Sequence, residues 1–286
     1  MPITEKQRIA RKGKIGSSDV AAIRGHSPYS TPAKAYAKIK GLCGEPIETT
    51  AMRVGTAMEP IILNEFNLKH EVRFNEYNDT LYHPRHEFLI CHCDGISSAI
   101  ATKFPELLEI KNVGHRVSHH WGPDGDPVGV PLYVLDQCVF QSFMTGIMTV
   151  WVCAYFGGND VRSYKIVFTK KDHDLLEKDL LKFWGYVERS EVPPLGATDA
   201  KSASLYWPQH SPGVKTSMFD NARVLGYTKN RRKMNEAQGE MLKYEASLKE
   251  VMKDAESLED DEGRTIFTWR TDKRGNRSFR CKIKEN

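Results

Sequence analysis

Apolar and polar residues alternate along this chain with periods that change from helical to extended and back. Apolar residues at helical spacing predict helices over 15–23, 31–39, 50–69, 131–148 and 172–188. Short apolar runs bounded by turn residues predict strands between 72 and 111, over 150–156 and over 163–168. This order predicts an α/β core with a mixed sheet.

One predicted strand carries two charged residues of opposite sign. Successive side chains of a strand alternate between faces, so Glu109 and Lys111 project from the same side, with Ile110 in the core. A second apolar run ends at Asp94-Gly95, and a hairpin between the two runs would bring Asp94 beside Glu109. Two carboxylates and one ammonium at a strand end indicate a Mg²⁺ site, in which the lysine orients or helps deprotonate the attacking water. A surface salt bridge is the alternative, because Glu-x-Lys pairs are common.

The composition changes after Pro193-Pro194, which predicts a boundary near Leu195 and two domains, 1–195 and 196–286. In the second domain, apolar residues spaced alternately by three and four run from Met234 to Leu258. This heptad pattern predicts a long helix that packs against another helix, either within the chain or in a neighbouring subunit. Two short strands around residues 273–276 then predict a terminal hairpin.

Charge is concentrated at this hairpin. The net charge of +4 over 286 residues does not by itself indicate a nucleic-acid partner. Between Arg264 and Lys284, however, eight Lys or Arg residues stand against one acid, Asp272, a local excess of +7. Such clustering is typical of phosphate binding, although a solvated basic tail has the same composition.

Composition also excludes several classes of protein. No apolar run approaches the roughly 18 residues that a membrane span requires, and the basic N-terminal segment lacks an apolar signal core. We therefore expect no membrane partner and a cytoplasmic protein. The six cysteines are scattered without C-x-x-C spacing, which argues against a zinc ribbon and a disulfide scaffold. Cys91 and Cys93 are predicted to be core thiols.

Five segments, in this order, resemble the YqaJ-type viral recombinases, relatives of phage lambda exonuclease in the PD-(D/E)xK nuclease superfamily. The resemblance covers roughly residues 8–195. The segments are 11–19 (RKGKIGSSD), 55–60 (GTAMEP), Asp94-Gly95, 108–111 (LEIK) and Gln137.

The resemblance implies a fold and an activity. The fold is a three-layer α/β nuclease core with a mixed central sheet, here followed by a helical region and a basic β-hairpin. The activity is Mg²⁺-dependent 5′-to-3′ digestion of one strand of double-stranded DNA to mononucleotides, which leaves 3′ overhangs. Two Mg²⁺ ions are implied, with Mn²⁺ as a substitute, together with a ring-shaped homotrimer, a single-strand annealing protein as partner, and a phage or prophage origin.

The resemblance also assigns roles at the metal site. Asp94, Glu109 and the Ile110 carbonyl become metal ligands, and Lys111 becomes the water-activating lysine. Glu59 becomes the helix-borne acid near the metals and a further candidate ligand, although an acid on an apolar helix alone favours a salt-bridged core residue.

Three more residues complete the implied site. Gln137 becomes a polar group that lines the site, and Arg11 with Ser18 forms the pocket for a terminal 5′-phosphate. His92 departs from the family pattern, because lambda exonuclease has a phosphate-contacting serine there.

Two alternative functions belong to other classes. One is an endonuclease of the same superfamily, which would cut a covalently closed circle that an end-dependent enzyme cannot. The other is a non-catalytic DNA-binding recombination adaptor, which would bind DNA without forming a Mg²⁺-dependent product.

Overall fold

The computed structural model describes residues 5–44, 48–97, 104–157, 159–209, 212–213, 215–216 and 222–283. The chain divides into two compact units, Met1–His210 and Ser211–Asn286. None of the described helices is long and apolar enough to cross a membrane.

The first unit alternates helices with short strands. Its helices are α1 (Glu5–Arg11), α2 (Ser17–Ile23), α3 (Pro32–Ile39), α4 (Thr50–His70), α5 (Leu132–Thr145) and α6 (Lys170–Arg189). Its strands are β1 (Phe74–Glu76), β2 (Leu81–Tyr82), β3 (Ile90–Cys91), β4 (Gly95–Ser97), β5 (Leu107–Val113), β6 (Thr149–Phe156) and β7 (Asp160–Val167). The sequence pattern does not predict α1, because this segment is mostly polar and its one large apolar residue, Ile9, is exposed.

The central sheet has the strand order β1-β4-β5-β6-β7. Strands β5 and β6 are parallel, whereas the other neighbouring pairs are antiparallel. Strands β2 and β3 form a separate ladder. The predicted mixed sheet is therefore confirmed, and β5 lies at its centre.

Helices cover both faces of this sheet. On one face, Ile62 and Phe66 of α4 pack against Leu108 and Ile110 of β5. On the other face, α2, α3, α5 and α6 share a larger core with the alternate residues of β5 and β6. Because the side chains of β5 alternate between these two cores, the helix–sheet–helix layering follows from the period of the strand.

Buried charges fix α2 to the helices around it. Arg24, at the end of α2, donates hydrogen bonds of 2.5 Å to Asp136 of α5 and 3.0 Å to Asp179 of α6. Asp19 of α2 accepts one of 2.5 Å from Lys38 of α3. A buried carboxylate is tolerated only with such partners, so these pairs set how α2 sits on the sheet.

The first unit continues past the predicted domain boundary at Leu195. Asp199 is fully buried, and its carboxylate accepts hydrogen bonds of 2.6 Å from the Thr31 hydroxyl and 2.8 Å from the Gly196 amide. Tyr206 packs against the apolar core. Residues 196–210 thus belong to the first unit.

The second unit consists of α7 (Ala222–Met252), β8 (Ser257–Glu259), β9 (Thr265–Thr271) and β10 (Arg277–Cys281). The antiparallel β9–β10 hairpin confirms the predicted one. The predicted helix through Leu258 is wrong at its end, because Lys253 is left-handed with φ 43° and Leu258 lies in β8, paired with Phe267. Lys284 lies outside the described residues.

The heptad positions of α7 are mostly exposed. Met234, Met241, Tyr244 and Val251 are each at least half exposed. Met252 alone is buried among the described residues of α7. The described part of the chain thus does not pack a second helix on this seam, and the choice between a partner helix in the chain and one in another subunit stays a prediction.

Candidate active site

Strand β5 supplies the two charged side chains at the centre of the site. Glu109 and Lys111 project from the same side of β5, and the Lys111 ammonium donates a hydrogen bond to Glu109 Oε1. Glu109 is 1% exposed, whereas the Lys111 side chain is 26% exposed. The pair is therefore buried at its acidic end, which rules out the alternative of a solvated surface salt bridge.

Asp94 joins this pair through the pairing of β4 with β5. It immediately precedes Gly95, which lies opposite Leu108 in the antiparallel ladder. A side chain at residue 95 would place its Cβ 3.3 Å from both Asn75 O and Leu108 Cβ, so glycine allows the close approach of the strands. Asp94 Oδ2 accepts a hydrogen bond of 2.8 Å from the Ile110 amide. The hairpin prediction is thus confirmed, although its connection, 98–103, lies outside the described residues.

Two glutamines of α5 hold the charged groups of β5. Gln137 Oε1 accepts a hydrogen bond of 2.9 Å from Lys111. One turn later, Gln141 is fully buried, and its Nε2 donates hydrogen bonds of 2.5 Å to Glu109 Oε2 and 3.4 Å to the His92 carbonyl. Sequence reasoning placed only Gln137 in the site. The spacing of one helical turn between the two glutamines is the signal that could have added Gln141.

The site holds more negative charge than its single lysine neutralises. Burial and the neighbouring Glu109 carboxylate raise the pKa of Asp94 to about 8, although Lys111 and the Ile110 amide act in the opposite direction. Burial lowers the pKa of Lys111, but the carboxylates of Glu109 and Asp94 outweigh burial and leave it raised. A second cation near Asp94 would therefore be stabilised.

The donor atoms fit a divalent cation such as Mg²⁺, which prefers carboxylate and carbonyl oxygens. Asp94, Glu109 and the Ile110 carbonyl are the residues that could hold it. In the part of the chain that the structure describes, no three His, Cys, Asp or Glu side chains are grouped closely enough to hold a metal ion. Glu59 thus does not complete a three-acid cluster with Asp94 and Glu109, although its charge helps to raise the pKa of Asp94.

Arg11 and Ser18, the predicted phosphate pair, are in direct contact. Arg11 Nη2 donates a hydrogen bond of 3.0 Å to Ser18 Oγ. A Cβ at position 16 would lie 3.0 Å from the same Nη2, so Gly16 leaves room for the guanidinium to cross the start of α2. The planar guanidinium of Arg11 is therefore held beside the Ser18 hydroxyl. Both groups can donate hydrogen bonds to phosphate oxygens.

A single cleft of about 730 Å³ links the phosphate pair to the acidic centre. Its lining includes six of the predicted site residues, namely Arg11, Ser18, Glu59, Asp94, Ile110 and Gln137. Glu109 is buried behind this lining.

One wall of the cleft was missed by the sequence reasoning. It consists of residues 76–80, from the last residue of β1 onward, and it adjoins His92, which the sequence analysis had singled out as a departure from the family pattern. His92 Nε2 lies 3.0 Å from Thr80 Oγ1, and burial followed by the charge of Arg11 lowers the pKa of this histidine. A neutral imidazole beside Arg11 is a hydrogen-bonding group rather than a second cation.

Similar proteins share this fold. The crystal structure of an alkaline exonuclease (LHK-Exo) from Laribacter hongkongensis matches with a TM-score of 0.52 and 20% identity, over 71% of this chain and 100% of that chain. LHK-Exo in complex with dAMP matches with the same values. Protein YqaJ of Bacillus subtilis (strain 168) is 22% identical over 260 residues, which cover 87% of this chain and 78% of that protein.

The first unit thus has the α/β fold of an alkaline exonuclease, with an acidic centre at the middle of its sheet. Residues 8–148 match the family model of the YqaJ-like viral recombinase domain. The matched segment contains every predicted site residue, from Arg11 to Gln137.

Proposed function

We propose that this protein is a Mg²⁺-dependent exonuclease that digests one strand of double-stranded DNA in the 5′-to-3′ direction. One observation carries the proposal: a single cleft is lined by the Arg11–Ser18 pair, by Asp94 and by Gln137, with Glu109 and Lys111 directly behind. An acidic centre that hydrolyses phosphodiesters does not by itself need a phosphate pocket nearby. The Arg11–Ser18 pair would allow the enzyme to recognise a DNA end by its terminal 5′-phosphate.

Asp94, Glu109 and the Ile110 carbonyl would hold Mg²⁺, and Mn²⁺ is expected to replace it because its ligand preferences are similar. Bound Mg²⁺ supplies a Lewis acid for the scissile phosphate and lowers the pKa of a bound water. Glu59, on the cleft wall, adds negative charge at longer range.

Lys111 acts on the attacking water. Its ammonium is held between Glu109 and Gln137, so its direction is set by a carboxylate on β5 and an amide on α5. A cation fixed in this way can donate a hydrogen bond to a water molecule beside Asp94 and orient it toward phosphorus.

Arg11 and Ser18 give the reaction its direction. If they bind the terminal 5′-phosphate one nucleotide beyond the acidic centre, each cut releases a mononucleotide and exposes a new 5′-phosphate for the same pocket. The remaining 3′ overhang is the substrate for a single-strand annealing protein, which we propose as the partner in phage recombination. A ring-shaped homotrimer would enclose the DNA and keep the enzyme bound to it between successive cuts.

The direct test is incubation of linear and covalently closed circular duplex DNA with the protein and Mg²⁺. We expect mononucleotides from the linear duplex, an intact circle, and no product in EDTA. Lys111→Ala is the matched control, which should bind duplex DNA but release product at least about 100 times more slowly, because the residue acts on the nucleophile and not on affinity.

Other outcomes contradict the proposal in distinct ways. Cleavage of the closed circle would indicate an endonuclease. Duplex binding without any Mg²⁺-dependent product would indicate a recombination adaptor. Normal turnover by Lys111→Ala would refute the assignment of the site.

A further inference from the structure

The β9–β10 hairpin of the second unit has two chemically different faces. Phe267 and Trp269 of β9 lie on the same face as Phe279 of β10, and the Phe267 and Phe279 rings stack at 5.2 Å. The Lys249 ammonium of α7 lies over this face, 5.4 Å from the Phe279 ring and 5.5 Å from the Trp269 ring. The aromatic face is thus the internal side of the unit.

Basic residues occupy the opposite face. Arg270, Arg280 and Lys282 stand at alternate positions from the aromatic residues, and Arg280 lies opposite Thr268 in the ladder. Pairing continues beyond β10, because the Lys282 amide donates to the Ile266 carbonyl at 2.8 Å. The long side chains of this face are cationic and exposed, and they stand mainly on β10, the edge strand of the sheet β10-β9-β8.

Several basic residues of the unit are already used within it. Arg264 pairs with Asp260 at 2.8 Å and with Glu262 at 2.9 Å, and Arg270 pairs with Glu256 at 3.2 Å. Arg277 packs on the Trp269 ring at 3.7 Å, and its guanidinium donates to the carbonyls of Lys253, Ala255 and Trp269. These three arginines therefore stabilise the unit. The local excess of +7 is consequently larger than the number of basic side chains that are available to bind a ligand.

Four other basic residues remain available. Arg280 and Lys282 are exposed on the outer face, and Lys273 and Arg274 are exposed at the turn. None of the four forms an ion pair with another described residue. The one acid of the turn, Asp272, is occupied, since its Oδ1 accepts hydrogen bonds from the Arg274 and Asn276 amides at 2.8 and 3.0 Å.

We propose that the outer face and turn of this hairpin bind the phosphate backbone of duplex DNA. Four available cations along the edge strand β10 and the adjoining turn can neutralise a row of phosphates. The choice of duplex over other polyanions rests on the proposed function. The hairpin is a second DNA contact, outside the cleft, that adds affinity without reading the sequence.

The test compares two double variants of the full-length protein that remove the same charge. Arg280→Gln with Lys282→Gln removes two available cations, and Arg264→Gln with Arg270→Gln removes two that are paired within the unit. Binding of a fluorescent blunt-ended duplex is measured in EDTA over a series of salt concentrations, and thermal unfolding verifies that both variants fold.

We expect the first variant to reduce the slope of log affinity against log salt by about 0.9 for each phosphate that it no longer neutralises, and the second to leave the slope unchanged. An unchanged slope in the first variant would overturn the proposal, and equal reductions in both would attribute the effect to net charge. A reduction with a single-stranded probe but not with the duplex would overturn the choice of ligand. Because EDTA removes cleavage, these results do not depend on whether the protein proves to be a nuclease.

Discussion

Glu109 depends on two neighbours for its orientation, one on each oxygen. Lys111 contacts Oε1 and Gln141 contacts Oε2, and all three side chains lie between β5 and α5. Since Gln141 is fully buried and does not line the cleft, its role is to position Glu109. A substitution of Gln141 can therefore test how Glu109 is positioned while the Glu109 carboxylate itself stays in place.

We predict that Gln141→Met lowers the rate of duplex digestion by about 10–100-fold, the usual cost of losing a residue that orients a metal ligand. Binding of duplex DNA in EDTA should not change. The Mg²⁺ concentration for half-maximal activity should rise, which a general loss of stability would not cause.

Ser142→Ala is the matched control for Gln141→Met, because Ser142 is equally buried on α5 but contacts His173 at 2.8 Å instead of the site. If both variants lose activity to the same extent, the effect comes from helix packing, and the positioning role is wrong.

A second prediction concerns Arg11. Wild-type protein should digest a 5′-phosphorylated duplex faster than a 5′-hydroxyl duplex, because the guanidinium and the Ser18 hydroxyl bind the terminal phosphate. Arg11→Ala should slow the phosphorylated substrate to the hydroxyl rate, as measured by release of labelled nucleotide.

Lys12→Ala provides the comparison for Arg11→Ala, since it removes a neighbouring exposed charge. If the wild-type protein shows no preference between the two kinds of end, or if Arg11→Ala keeps the preference, the assignment of the phosphate pocket is refuted. The assignment of the acidic centre is unaffected by either result.

At the scale of elements, two buried histidines pack against Phe143 of α5. His173 of α6 is 5% exposed and His83 is 7% exposed, and both contact the ring of Phe143. Burial is the main cause that lowers the pKa of each histidine. Nearby basic side chains add to this effect, Lys170 for His173 and His86 with Arg85 for His83. Nearby acids, Asp172 and Asp174 for His173 and Glu177 for His83, act in the opposite direction.

These shifts give the stability of the first unit a pH dependence of defined sign. A histidine whose pKa is lower in the folded state takes up a proton on unfolding, once the pH falls below its unfolded pKa of about 6.5. Stability should be constant above about pH 6.5 and then decrease by up to about 1.4 kcal/mol per pH unit for each such histidine, until the folded pKa is reached.

Urea unfolding between about pH 5 and 7.5 tests this dependence, since that range spans the unfolded pKa of histidine. His173→Gln should flatten the decrease at the acidic end, whereas His115→Gln, at an exposed position, should leave it as in the wild type. The same decrease in all three proteins would assign it to other groups.

Element positions were predictable where a single period extends over enough residues. The helices α4, α5 and α6 and the strands β6 and β7 lie within a few residues of their predicted bounds. The end of α7 was not predictable from spacing, because Leu258 continues the heptad but is held in β8 by backbone pairing with Phe267. Hydrogen bonds between segments distant in sequence decide where such a helix ends, and they produce no periodic pattern in the local sequence.

In the site, the charged residues of β5 were predictable because alternation on a strand fixes which side chains share a face. The spacing of one helical turn from Gln137 offered a signal for Gln141, but its contact with Glu109 depends on how α5 packs on β5. The wall after β1 lies on a loop with no regular period and gave no such signal.

At the scale of the whole molecule, the last residues of the first unit hold its N-terminal helices. Asp199 ties the stretch after α6 to Thr31, which also caps α3 by accepting a hydrogen bond from the Lys34 amide. We predict that a chain ending at residue 210 is more stable than one ending at 195 by about 1–3 kcal/mol, the usual cost of leaving a buried polar group unsatisfied.

Thermal unfolding of the two truncated chains measures this difference, and Thr31→Val in the longer chain should reproduce part of it. Equal melting temperatures would instead place the boundary at Leu195, as the composition alone suggests.

The parallel pairing of β5 with β6 has a consequence for how the molecule is made. Strand β5 is enclosed only when α5 and β6 have been added to it, and α5 also supplies Gln137 and Gln141. Contacts between residues so far apart in sequence form late in folding, because the intervening chain must first be ordered. During synthesis, Asp94, Glu109 and Lys111 therefore leave the ribosome well before the elements that hold them in place. A nascent chain that stops before α5 carries Asp94, Glu109 and Lys111 but lacks Gln137, Gln141 and the parallel partner of β5, so the cleft assembles only after these later elements have been made.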